Sequence, residues 1–310
     1  MSSMRRGRML AALLAVVAGA GTVATSMATA RADVAPINAL CVLNCGSGVQ
    51  GSGNLTSHGG SVEGSTTNYL IFWGPFPNTL ANIACTVCGT LPSLPDPDYE
   101  SLISRFFLDV GGTSYYGMLG QYGAGNSSLL GGVYVDNLNP YPVNASATVQ
   151  DSDIQTEVRR AEAVNGWTGG NGHNFFVMLA PGETECASFG CSGTEFCGYH
   201  DHESDRTGLQ TPYEVIPFPE NVPGSCTAGQ SPNGDPAADD AVNIISHELF
   251  ETVTDPFLNA WFDAAGYEIG DKCAWTFGNE GLTGANVTLH GDSYIVQREY
   301  SNRISNCSLS

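Results

Sequence analysis

Positive charge is scarce in this chain of 310 residues: 11 lysines and arginines stand against 31 aspartates and glutamates, a formal net charge of −20. A surface this acidic repels phosphate backbones and anionic lipid, so a nucleic-acid partner is excluded. Long apolar runs are just as rare. The one clear case, MLAALLAVVAGAG, follows Arg5, Arg6 and Arg8 and leads to small-residue sequences at 28–30 and 30–32. This is the pattern of a secretory signal peptide over residues 1–32, cut after Ala30 or Ala32. An uncleaved anchor is the competing reading, and the run is short for it. No later stretch is apolar enough to cross a bilayer, so no membrane partner is expected once the signal is removed. The Gly-x-Ser-x-Gly elbow, the Walker phosphate loop and the dinucleotide fingerprint in a strand-to-helix setting are also missing. Their absence excludes serine-esterase, P-loop and nicotinamide chemistry built on those motifs.

Cysteine, in contrast, is plentiful for an exported chain, at ten. An oxidising compartment makes these a disulfide framework, and Cys273 with Cys307, apart from the other clusters, is the expected pair. Thiolate zinc at Cys85 and Cys88 is the rival, weakened because a second pair at the usual distance is missing. The expected location is secreted or extracellular, with cell-wall association open. Residues 33–54 are rich in Gly and Ser, with two cysteines, and read as a tail. Residues 55–310 carry recurring apolar runs without a linker and read as one domain. Strands are expected over 68–74, 131–137, 174–182, 213–219 and 293–300. Helices are expected from Asp96-Pro97, from Ser152 with Gln155 in capping-box spacing, and from Asp235-Pro236 to near Asp255. Interleaved strands and helices imply an α/β or α+β fold, a single layered domain with a mixed sheet, stabilised by disulfides.

The third helix contains NIISHELFETVTDP, Asn243 to Pro256. At about 100° per residue, Val242, Ile245, Leu249 and Val253 share an apolar stripe, and His247 and Glu251 lie together on the opposite side. Glu248 follows His247 directly. Two ligands at i and i+4, with an acid beside the first, are what a zinc-peptidase helix uses to hold a metal and its water. Here glutamate stands where such a helix has its second histidine. Downstream, YEIGDKC supplies Glu268 and Asp271, at a separation comparable to that of the third ligand of His-Glu-x-x-His zincins. The bland alternative is an ordinary surface helix followed by a turn of solvated acids. A second cluster, FCGYHDHESD, offers His200 and His202, which share a face if the segment is extended. It reads equally as an exposed loop.

The expected assignment is therefore a zincin-like active-site helix. His247, Glu251 and either Glu268 or Asp271 hold the metal, Glu248 is the general base, and His200 is a further ligand or a transition-state stabiliser. Zn2+ is the first choice, with Mn2+ or Ca2+ as alternatives for an oxygen-rich site. The function implied is a metal-dependent hydrolase acting on a peptide or protein substrate. Two alternatives stand beside it: a non-enzymatic extracellular or wall-associated protein with a structural metal or none, and a glycan-binding module built on Trp73, Trp167, Trp261 and Trp275.

Several segments, in order, resemble one known family. They are HGGSVEGSTTNYLIFWG, NFFVMLA, FCGYH, AVNIISHELFETVTDPFLNAWF and SYIVQREYSNRISNCS, running from about residue 55 to the C-terminus. The chain resembles the Exordium, or phosphate-induced, family of extracellular proteins. The resemblance implies an extracellular location and a shared fold. The plant members' pattern lacks the histidine and acids found here on the third helix, so the resemblance implies no chemistry at His247, Glu248 and Glu251.

Overall fold

The computed structural model describes residues 39–41 (backbone), 48–74, 99–137, 148–222 and 224–310. The expected signal peptide, the Asp96-Pro97 helix start and Cys45, Cys85 and Cys88 lie outside the described residues.

Six strands form the main sheet: β1 (Ala39–Cys41), β2 (Ser65–Trp73), β3 (Ser127–Asp136), β4 (His173–Leu179), β5 (Phe196–Ser204) and β6 (Gln210–Ile216). Their spatial order is β1-β5-β6-β4-β2-β3. Strands β6, β4, β2 and β3 pair in parallel, while β5 runs antiparallel to both β6 and β1. The parallel centre explains the composition of β2 and β4. Both faces of these strands are covered, so YLIFW and FFVML run apolar without alternation. The sheet is mixed, as the sequence implied, and the four strands that pair in parallel, β6, β4, β2 and edge strand β3, are the expected ones with shifted ends.

Helices cover both faces. On one face lies α2 (Asp151–Asn165), against the outward residues of β5 and β6: Tyr199 donates to Asp151 at 2.9 Å and Tyr213 at 2.6 Å. The capping box expected from Ser152 and Gln155 sits two residues earlier. Asp153 accepts from the backbone N–H of Gln150 at 2.9 Å, which frees Gln155 to reach Tyr213. On the other face lie α1 (Tyr99–Asp109), where Phe107 meets Phe176 of β4, and α3 (Pro236–Thr254). The start of α3 is as expected. Asp235 accepts from Ala238 N–H at 3.1 Å, and Pro236 occupies the first position, where its missing N–H costs nothing.

Three expectations change. The first concerns the surface-helix alternative for α3: every residue from Ala237 to Thr254 is buried, including the side that this alternative turned to water. The sheet covers one side, while α1 and the C-terminal segment cover the rest. The second is that Phe196–Ser204, open to a loop reading, is strand β5, with His200 paired opposite Glu214. The third is that the strand expected over 293–300 is two short strands, Asp292–Tyr294 and Glu299–Ser301, in separate hairpins. Between them the backbone bonds to side chains instead of a ladder: Val296 N–H to Asn286, and Gln297 N–H to Asn243 of α3.

Within the stretch read as a tail, residues 39–41 extend the sheet edge. Gln50 and Ser52 bond to Lys272 and Asp263. Three disulfides join described residues: Cys186–Cys191, Cys197–Cys226 and the expected Cys273–Cys307. The last ties the C-terminal strand to the short 3-10 turn Asp271–Cys273.

Candidate metal centre

Three segments converge behind the sheet: α3, strand β5, and the turn spanning Glu268–Cys273. From α3 come His247, Glu248 and Glu251. His200 comes from β5, and Glu268 and Asp271 come from the turn. All are fully buried except Asp271, which is 4 % exposed.

Two triads form around Glu251. In one, His247 Nε2 lies 3.1 Å from Glu251 Oε1 and 3.8 Å from Asp271 Oδ1. In the other, His200 Nε2 lies 3.6 Å from Glu251 Oε2 and 3.1 Å from Glu268 Oε2. The potential ligand atoms of each triad lie within 4.8 Å of one another, a spacing that one metal ion spans. The helical spacing brings His247 to Glu251, and the β pleat points His200 at the same helix. Asp271 N–H donates to Glu251 Oε1 at 2.9 Å, which locks the turn to α3.

Two glycines permit this approach. A Cβ at Gly198, two residues before His200, would stand 2.6 Å from Ile244 Cγ2 and 2.9 Å from Glu248 Oε1. A Cβ at Gly270 would stand 2.6 Å from His247 Nδ1. Both close approaches need the missing side chain.

The electrostatics are those of charge expelled by burial. Desolvation, then mutual repulsion, pushes the carboxyls of Glu251, Glu268, Asp271 and Glu299 well above the usual range. Desolvation also lowers the imidazoles, His200 to about 3 and His247 to about 4. Among the described residues, no lysine or arginine forms an ion pair with Glu251, Glu268, Asp271 or Glu299. The nearby Lys272 is committed to Asp263 at 2.7 Å. Glu251 Oε2, Glu268 Oε1 and His247 Nε2 have no hydrogen-bond partner. Buried polar atoms normally have one, and ionised carboxylates need a cation, so this arrangement has the chemistry of a cation site.

Sequence reasoning did not find Gln297, Gly198 and Gly270 around the centre, and it placed Asp255 one turn on along the polar side of α3 without giving it a role. Gln297 Nε2 lies 2.9 Å from His247 Nδ1 and 2.9 Å from Gly270 O. Asp255 accepts from Asn259 and Ala260 N–H and lies close enough to Glu268 to raise its carboxyl. Gly198 and Gly270 are the close-approach positions. Of the three missed, only Gln297 left a trace, as an amide inside the apolar run SYIVQ. His202 shares the face of His200 as its alternation required, but it contacts Asp201 and Phe257 and belongs to neither triad. His58 stacks on Phe262, and His173 bonds to Thr168.

The fold and site define a disulfide-bonded α/β domain with a buried histidine–carboxylate centre at the helix-covered face of a mixed sheet. The chain belongs to the family of the phosphate-induced protein 1 conserved region, which matches residues 55–301. Two curated relatives from Arabidopsis thaliana are similar to it. Protein EXORDIUM-like 5 is 38 % identical over 85 residues, 24 % of this chain and 23 % of that protein. Protein EXORDIUM-like 3 is 31 % identical over 147 residues, 37 % of this chain and 43 % of that protein. The matches thus span less than half of either relative, and neither name states a substrate or reaction. No solved structure matches the chain significantly.

Proposed function

We propose that this is an extracellular member of the Exordium family that binds a divalent cation in the α3 centre, where the metal stabilises the fold. The observation that carries this reading is the complete burial of His200, His247, Glu251 and Glu268, within which His247 Nε2, Glu251 Oε2 and Glu268 Oε1 have no hydrogen-bond partner. A centre this deeply buried, with ligands from α3, β5 and the Glu268–Cys273 turn, suits a metal that ties these three segments together. Carboxylates and imidazoles together suit Zn2+ or Mn2+. Calcium, which takes 6–8 oxygen ligands, fits less well. The three described disulfides are consistent with an extracellular location.

The test is elemental analysis of the secreted protein, with melting before and after chelation. The expected outcome is stoichiometric metal, a fall of more than about 10 °C in Tm on chelation, and recovery on adding Zn2+ or Mn2+. Protein that carries no metal, binds none and melts unchanged with chelator would overturn the proposal.

A second reading, the metal-dependent hydrolase, is favoured by one feature. Glu248 directly follows His247, and its carboxylate packs on Gly198, two residues along β5 from His200. A structural metal has no need of that acid, whereas a metal-bound water does. In this reading Glu248→Gln keeps the metal and loses peptide-bond cleavage. Equal cleavage by both forms, or none by the native protein across a peptide library, removes it.

A further inference from the structure

We infer that the α3 centre takes two divalent first-row cations, Mn2+ or Zn2+ in class, bridged by the carboxylate of Glu251. This rests on the proposal that the centre binds metal and goes beyond it in nuclearity. The two oxygens of Glu251 face different imidazoles: Oε1 faces His247 and Oε2 faces His200. Each imidazole has its own second carboxylate, Asp271 for His247 and Glu268 for His200. The two triads share Glu251 alone. A mononuclear site has no use for this duplication, whereas a bridged pair needs one terminal imidazole and one terminal carboxylate on each side. Paired metal ions in proteins sit about 3.5–4 Å apart, a separation that a carboxylate bridges with one oxygen on each ion.

The free coordinating atoms divide the same way. His247 Nε2 has no hydrogen-bond partner on one side, and Glu251 Oε2 and Glu268 Oε1 have none on the other. Charge agrees as well. One divalent ion leaves Glu251, Glu268 and Asp271 with a buried negative charge. A second ion offsets that charge, and Asp255 and Glu248, both close to Glu268, add further negative charge beside it. One nitrogen and two carboxylates per ion form a borderline-to-hard set, which suits Mn2+ and Zn2+ and leaves further positions for water.

The test uses the full secreted chain, freed of metal by chelation and titrated with Mn2+, with bound metal measured after desalting and electron paramagnetic resonance recorded at saturation. The expected result is two equivalents per chain with the spectrum of an exchange-coupled pair. His200→Gln and His247→Gln should each retain one equivalent and show the sextet of an isolated ion. One equivalent at saturation in the native protein, with an uncoupled spectrum, overturns the pair and leaves metal binding intact. No bound Mn2+ or Zn2+ overturns both. Should either variant fail to fold, the native titration decides alone.

Discussion

Glu251 is the residue on which the centre turns, and its neighbours make the sharpest predictions. Gly270 has φ −76°, which any residue adopts, so a side chain there costs only space. That space is filled by the His247 ring, 2.6 Å from where the Cβ would stand. Gly270→Ala is therefore expected to displace the imidazole and weaken metal binding about 10-fold or more without unfolding the chain. Competition against a chelating dye measures this, and native affinity in the variant would show that His247 is no ligand. Gln297 acts from the other side. A histidine that binds metal through Nε2 carries its proton on Nδ1 and needs an acceptor there. Gln297 now presents Nε2 to that atom, while its own Oε1 has no partner. Gln297 fixes the ring through this contact and through its bond to Gly270 O, so Gln297→Leu is expected to lower affinity by about 10- to 100-fold.

At the scale of elements, the centre depends on how α3 and the Glu268–Cys273 turn are held. Asp235 caps α3 through Ala238 N–H, and Asp235→Ala should cost about 1 kcal/mol of stability, read from denaturant midpoints. The Cys273–Cys307 bond closes a sequence separation of 34 residues. By chain entropy, its removal is worth about 3–4 kcal/mol. Because Cys273 ends the turn that begins at Asp271, the double Cys→Ser variant should lose metal affinity as well as stability. A variant that melts lower yet binds metal as tightly as the native protein would show that the turn is held by Asp271 N–H on Glu251 alone. Gly198 sets the distance between β5 and α3, and Gly198→Ala should overpack the interface by about 1–3 kcal/mol.

At the scale of the whole molecule, buried acid governs stability away from the centre too. Glu63, held by Asn174 and Gly172 N–H, is pushed up to about 8, and Glu185 to about 8, both chiefly by desolvation. Asp240 is pushed up to about 7 for the same reason. A carboxyl whose folded pKa lies above its unfolded value holds a proton that the unfolded chain has already lost. The stabilisation is then complete below about pH 4 and is lost as pH rises toward 8. Metal-free protein is therefore expected to be less stable at pH 8 than at pH 5 by a few kcal/mol, as measured by chemical denaturation. Glu63→Gln should flatten part of that slope, and an unchanged slope would mean that Glu63 is ionised in the folded protein.

Much of this protein follows from local sequence. Strands β2, β3, β4 and β6 are visible because β-branched and aromatic runs end at Gly, Pro or Asn, and α3 because Asp235-Pro236 is a start signal that needs no partner. The i, i+4 spacing alone brings His247 to Glu251. The family relation is visible in the order of short segments. What tertiary structure decided is everything that depends on burial or on the meeting of distant segments. The polar side of α3 faces protein instead of water because the C-terminal segment folds across it. His200 joins the centre because β5 pairs with β6 in a register that points it at the helix. The choice between Glu268 and Asp271 disappears, because each reaches a different imidazole. Periodicity describes one helix at a time, and a bridging carboxylate is a relation among three segments far apart in the chain.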